Sequence, residues 1–235
     1  MPDLIFSDPR LARLYDVFDG PRDDLELYLG IADELSARSV LDVGCGTGCL
    51  AVLLAGTGRT VVGVDPAPAS LEIARAKDDR VRWLHGDATT LPPLQVDLAT
   101  MTGNVAQVFL GGDWERTLRG IHAALRPGGH LVFETRRPEA RAWEGWAQPT
   151  RRVLDGVEER RELLGVSLPL VSFRHTYTLP DGTVLASDST LRFRSRAEVE
   201  ESLVSCGFRV VDVRDAPDRP GREFVFVAGR GLGVG

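Results

Sequence analysis

Between Ser39 and Thr135 the chain alternates short apolar runs with helical segments, and this alternation restricts the fold more than any other feature. The strand-like runs are Val40–Val43, Thr60–Val64, Val81–Leu84, Val96–Met101 and His130–Glu134. Helical segments begin near Gly48, Ala67 and Asp113; in the last of them Trp114, Leu118, Ile121 and Leu125 line one face. Parallel strands joined by helices cross over right-handedly, which predicts an α/β fold with a doubly wound, mostly parallel sheet covered on both sides.

The flanks carry different periods. Leu11, Leu14, Tyr15 and Phe18 share one helical face that ends at Gly20-Pro21, and Leu25, Tyr28, Leu29, Ala32 and Leu35 repeat at helical spacing after Asp23-Asp24. From Val171 to Leu179 the pattern alternates, turns at Pro180-Asp181-Gly182 and continues from Thr183 to Phe193, which predicts an inserted β-hairpin. Ser195-Arg196-Ala197-Glu198 reads as a capping box opening a helix that stops at Gly207. Strands over Phe208–Val213 and Glu223–Ala228 follow, and Gly229 to Gly235 read as a frayed end.

At 235 residues, 43% hydrophobic and 26% charged, the chain suits one globular domain. A net charge of −6 argues against a large nucleic-acid footprint, and the cluster Arg136, Arg137, Arg141, Arg151 and Arg152 reads first as solvated loop arginines. No apolar run approaches the roughly 18 residues of a membrane span, and residues 1–8 lack the pattern of a signal peptide. Cys45, Cys49 and Cys206 form neither a disulfide framework nor a metal spacing, so a reduced, metal-free, cytoplasmic protein is expected.

The chemistry-bearing segment is Val40-Leu41-Asp42-Val43-Gly44-Cys45-Gly46-Thr47-Gly48, a buried strand running through a glycine turn into a helix. Glycines there let a ligand approach the backbone, and the helix start offers unpaired N–H groups. The spacing Gly44-x-Gly46-x-Gly48 departs from the dinucleotide fingerprint, which has two residues before its third glycine. Asp65, closing the second strand before Pro66, can accept hydrogen bonds from both hydroxyls of a ribose. Asp87, in Gly86-Asp87-Ala88, can take the exocyclic amine of an adenine. Asp42, Asp65 and Asp87 are 23 and 22 positions apart, about one strand–helix unit each, so they end neighbouring strands along the edge where open α/β sheets bind ligands.

With these segments, Asp97-Leu98 and Leu125-Arg126-Pro127-Gly128-Gly129, the sequence resembles the class I S-adenosylmethionine (SAM)-dependent methyltransferase family over residues 39–226. The resemblance implies a Rossmann-like sheet of seven strands whose last strand is antiparallel. It implies that Gly44, Cys45, Gly46, Thr47 and Gly48 hold the methionine part of SAM, with Asp42 orienting that end, and that Asp65 with Pro66 holds the ribose. Asp87 with Ala88 would hold the adenine, and Gly103 and Asn104, in the loop after the fourth strand, would add cofactor contacts; S-adenosylhomocysteine (SAH) is the implied product. Read this way, one domain over 1–235 comprises a helical cap (1–38), a SAM-binding core (39–135), an acceptor-side insertion (136–194) and a C-terminal helix with strands (195–235).

The acceptor is less constrained. The loop Met101–Gln107 lacks the Asn/Asp-Pro-Pro-aromatic sequence of exocyclic-amine methylases, and the Pro-Cys pair of cytosine-C5 methylases is missing. Gln107, Trp143, Trp146, Arg174 and Tyr177 are candidate acceptor contacts; the two tryptophans can wall a site or pin the segment to the core. Glu134, at a strand end, and His175, on the hairpin, are candidate proton acceptors; alternation sends His175 with Phe173 and Tyr177 to one face and Arg174 to the other. The residues favour a small-molecule acceptor, ahead of RNA or protein. A nicotinamide-dependent oxidoreductase and a non-catalytic SAM-binding module stand further behind.

Overall fold

The computed structural model describes residues 2–20, 22–147 and 150–231; Pro21 and Leu232 to Gly235, which figure in the sequence reading, lie outside the described residues. The amino-terminal segment folds into α1 (Leu4–Ser7), α2 (Pro9–Asp19) and α3 (Leu25–Glu34). Asp8 caps α2 by accepting from Arg10 N, and Leu11 and Phe18 bury the apolar stripe of that helix. In α3, Leu25, Tyr28, Ile31 and Ala32 are buried.

The alternating region gives β1 (Ser39–Val43), α4 (Cys49–Gly56), β2 (Thr60–Asp65), α5 (Pro68–Lys77), β3 (Arg82–His85), β4 (Val96–Met101), α6 (Asp113–Ala124) and β5 (Leu125–Arg136). The last strand begins five residues earlier than the apolar pattern suggests. Leu125 leaves the helix to pair with Val96, so Pro127-Gly128-Gly129 lies within an irregular start of β5.

After β5 the chain departs from the expected single hairpin. It forms β6 (Thr150–Leu154), β7 (Val157–Ser167), β8 (Leu170–Thr178) and β9 (Val184–Arg192), a four-stranded antiparallel sheet in sequence order. The unforeseen half turns at Asp155-Gly156, both at positive φ, with Leu154 opposite Val157. That is the two-residue connection whose twist suits a hairpin. Helix α7 (Arg196–Ser205) starts where the capping box places it, with Ser195 Oγ accepting from Glu198 N at 3.2 Å. Strands β10 (Phe208–Asp215) and β11 (Glu223–Arg230) close the chain. Gly229 and Arg230 are ordered by pairing with His130 and Phe208, contrary to the frayed end expected there.

The main sheet has seven strands in the order β10-β11-β5-β4-β1-β2-β3, and only β11 runs against the others. Leu41, Val43, Met101 and Phe133 pack towards α6 and α7, whereas Val40, Leu98 and Val132 pack towards α3 and α4. The strand order reverses between β1 and β4, and the crevice outside the carboxyl ends at such a reversal is the place where sheets of this kind take ligands. Helix α1 bridges this crevice: Ser70 of α5 donates to Phe6 O at 3.0 Å, and Ile5 N donates to Ser187 of β9 at 3.0 Å. Among the described residues no helix is long and apolar enough to cross a membrane.

Candidate functional site

Strand β1 delivers Asp42 and the Gly44–Gly48 turn to the crevice. Gly44 N and Cys45 N both donate to Val64 O, at 2.9 and 3.2 Å, which ties the turn to the end of β2. Gly46 has φ +53°, and a Cβ built there meets no protein atom within 4 Å, so this residue faces open space at the crevice. Gly48 serves packing instead, since its Cβ would lie 2.5 Å from the Trp83 ring. Cys45 is buried, and its Sγ stands 3.0 Å from where a Gly63 Cβ would be. Its side chain is thereby directed at β2, leaving its backbone to the crevice.

Three carboxylates lie at or near this rim. Asp65 accepts from Gly46 N at 2.9 Å on one oxygen and from Ala67 N at 2.8 Å on the other. Burial raises its pKa, and those two N–H groups oppose the rise. Asp42 is 2% exposed and accepts one bond, from Thr100 Oγ1 at 2.8 Å. Burial pushes its carboxyl up to about 7, against the pull of the Thr100 hydroxyl and the Arg22 guanidinium. Asp87 is half-buried, and one of its oxygens caps its own turn through Thr89 N at 2.7 Å and Thr89 Oγ1 at 2.6 Å. Ala88 is buried against α6, where a Cβ on Gly120 would strike Ala88 O. Pro66 is exposed, with its carbonyl 3.2 Å from His85 Nε2.

The Thr47 side chain turns to the helical cap. Its hydroxyl donates to Asp16 of α2 at 2.5 Å, and Asp16 also pairs with Lys77 of α5 at 2.5 Å. The side chain therefore latches the helical cap to the glycine turn. Asp16 was invisible to the sequence reading because its partners are 31 and 61 residues away.

The loop after β4 is fixed by buried polar groups. Asn104 has φ +60°; its N–H donates to Glu134 Oε1 at 2.6 Å and its Nδ2 to Glu223 Oε1 at 3.1 Å. Tyr28 donates to the other Glu134 oxygen. Burial pushes Glu134 up to about 7 while these donors pull it down. Both its oxygens being engaged, Glu134 acts here as a tie between α3, β5 and the Asn104 loop. Asn104 Oδ1, by contrast, is buried with no hydrogen-bond partner among the described residues. Gly103 is exposed beside it. Gln107 is wholly buried and committed to Arg136, which donates to its Oε1 at 2.9 Å. Arg194 donates to Ala106 O at 3.0 Å and Phe109 O at 2.6 Å, closing the same loop from below.

The antiparallel sheet turns one face to the crevice and the other to solvent. Its inner face is apolar at both ends. Val157 and Tyr177 pack with Leu11 and Phe18, and Val171 packs with Trp143 and Phe193. The Trp143 ring lies 4.7 Å from Phe193 and the Trp146 ring 5.1 Å from Phe173, so both rings pin the segment before β6 to the sheet. Between these ends runs a polar band. Glu159 accepts from Arg152 Nε at 2.6 Å, His175 Nδ1 stands 2.8 Å away, and the Tyr177 hydroxyl donates at 3.3 Å. His175 thus sits between Phe173 and Tyr177, as alternation requires. Arg174 is on the solvent face, paired with Asp188 at 2.5 Å, and does not join the site. The sheet overhangs the end of β5: Arg136 and Arg161 approach the same Trp146 ring, at 5.4 and 5.9 Å.

Sequence reasoning missed Arg22, Tyr28, Glu159, Arg161 and Glu223, and it reads Arg136 and Arg152 as solvated loop arginines, whereas both lie on strands and are tied to Gln107 and Glu159. The Asp155-Gly156 dipeptide between alternating residues was the available signal for β6 and β7. The buried rim, with its open position at Gly46, its carboxylates and its orphaned Asn104 oxygen, matches a cationic ligand that also carries hydroxyl and amine donors. SAM fits that description through its sulfonium, ammonium, ribose hydroxyls and adenine amine.

Residues 40–129 match the family described as Methyltransferase domain. The chain is 33% identical to the cypemycin N-terminal methyltransferase of a Streptomyces species, covering 59% of each chain. It is 38% identical to the demethylmenaquinone methyltransferase of Thermus thermophilus, covering 43% of this chain and 49% of that one. The chain spans about half the length of the curated relatives it matches. Its fold is that of SAM-bound CalS10, an amino pentose methyltransferase from Micromonospora echinaspora, with a TM-score of 0.71 at 24% identity, over 89% of this chain and 92% of that one. Topology, rim geometry and the match over 40–129 agree: residues 40–129 carry a methyltransferase domain, and the fold around it is that of SAM-dependent methyltransferases.

Proposed function

We propose that this chain is a SAM-dependent methyltransferase whose acceptor is a small molecule held between the end of β5 and the polar band of the antiparallel sheet. When bound, SAM supplies a methyl group activated by its sulfonium for in-line displacement. The protein's share of the work is binding, alignment and exclusion of water. Asp65 would hold the ribose and the Gly44–Gly48 backbone the methionine end. The negative charge of Asp42 would favour the ammonium. Glu134, through Tyr28 and Asn104, positions the loop that carries the orphaned oxygen. Cap residue Asp16 closes α2 over the glycine turn.

The observation that carries this reading is the convergence of Asp42, Asp65 and the open Gly46 position at the carboxyl ends of β1 and β2, with Arg136 of β5 and Arg161 of the four-stranded sheet meeting at Trp146. Quinone and amino pentose in the names of a relative and a structural neighbour make a small acceptor the first class to test. The test is incubation with isotopically labelled SAM and fractionated metabolites, with SAH binding followed by calorimetry. Label in a low-mass product and saturable SAH binding are expected; no SAH binding at millimolar concentration would overturn the proposal.

A further inference from the structure

Among the described residues, the polar band contains a guanidinium in ion-pair contact with no carboxylate, Glu159 being its nearby but unbonded opposite charge. Thr150, Arg151, Arg152, Glu159, Arg161 and His175 line a recess of about 490 Å³ on the inner side of the sheet. Most of its charged groups are already satisfied. Arg151 pairs with Glu158 at 2.7 Å, and Arg152 divides its guanidinium between Glu159 and Phe18 O, the latter at 2.7 Å. Glu159, the acidic group of the recess, takes Arg152, His175 and Tyr177.

Arg161 differs. Its Nε is buried without a hydrogen-bond partner, and it forms no ion pair with a carboxylate among the described residues. A buried guanidinium nitrogen left unpaired is costly, so natural structures seldom keep one unless something else occupies it. The orphaned atom is also informative. Nε and the adjacent Nη form the fork that meets a carboxylate or phosphate with two parallel bonds. The Trp146 ring, shared with Arg136, places this fork beside the end of β5 instead of on the outer surface.

We propose that this recess is an anion-recognition subsite of the acceptor site, in which Arg161, flanked by Thr150, binds a carboxylate or phosphate group carried by the acceptor. The inference rests on the methyltransferase reading for the word acceptor, but the anion site itself can be measured separately. An anionic handle held here would anchor the molecule away from the reacting atom. Acceptors differing at the methylated end could then share one grip.

The experiment is calorimetric titration of the protein, free and loaded with SAH, with sodium pyrophosphate and in parallel with succinate at constant ionic strength. Saturable binding of at least one probe is expected; the one that binds identifies phosphate or carboxylate as the handle. Arg161→Gln should weaken that binding about tenfold or more, and Arg161→Lys, which keeps the charge without the fork, should lie between. Both variants should bind SAH as the parent does, which also certifies their folding. The proposal is overturned if neither probe binds the parent saturably, or if Arg161→Gln binds as well as the parent. Loss of SAH binding by the parent would instead strike the methyltransferase reading and leave the pyrophosphate result legible.

Discussion

The two sheets build their halves of the crevice by different means. At the seven-stranded sheet, backbone groups hold the rim carboxylate Asp65, through Gly46 N and Ala67 N, and the buried tie Glu134 is anchored in part by Asn104 N. At the four-stranded sheet, side chains hold side chains, as in the Arg152–Glu159–His175 cluster. Strands buried on both faces leave few alternatives for the first kind of site, and a change there disturbs the fold. A one-sided antiparallel sheet lets the second kind vary by substitution while its strands stay paired. Under the proposed function, cofactor grip and acceptor choice would fall to regions with different tolerance for change.

That contrast can be attacked at its strongest point first. Asp65→Ala removes the carboxylate assigned to the ribose and two bonds to backbone donors; SAH affinity should fall about 100-fold, with a measurable loss of thermal stability. Calorimetry showing less than a threefold change would relocate the cofactor site. A pH series sharpens the same side. Because burial raises Asp42 and Glu134 from ordinary values of 3.8 and 4.5 to about 7, the folded chain without cofactor binds protons more tightly than the unfolded one. Stability contributed at low pH is therefore lost as the pH climbs from about 4 through about 7. Urea denaturation should show about 5 kcal/mol less stability at about pH 7.5 than at about pH 5 from these two groups together, and Asp42→Asn should roughly halve that difference.

Smaller effects follow from the ties between regions. Tyr28→Phe deprives the buried Glu134 of one donor and should cost about 1–2 kcal/mol of stability, read by urea denaturation, while raising the KM for SAM. Asp16→Ala removes the latch on Thr47 and Lys77; stopped-flow should show SAH leaving roughly three- to tenfold faster, with little change in melting temperature. Arg174→Gln, on the solvent face of β8, should alter neither SAH affinity nor melting temperature. A clear effect there would mean that the outer face of the four-stranded sheet takes part in the site.

Legibility in the sequence followed the same division. The glycine turn, Asp42, Asp65 and the strand ends could be placed because each lies where a buried apolar run stops. The sheet core was legible because β1, β2 and β4 are apolar on both faces. Strands β6 and β7 were not, because Arg151, Arg152, Glu158, Glu159, Arg160 and Arg161 mask the alternation. Val157 and Glu159 face inward while Glu158 and Arg160 face outward, and a row of charges conceals that period of two.

The chain's own order of residues determined where strands end, where the backbone bends towards a ligand and which carboxylates stand at the rim. These follow from local sterics and from the period with which apolar side chains recur. Packing alone decided that Thr47 turns to Asp16, that Glu134 becomes a tie held by Tyr28 and Asn104, and that Arg161 is left without a partner among the described residues. Such pairings join residues dozens of positions apart, and their distances are set by how helices and sheets stack; no local preference encodes them.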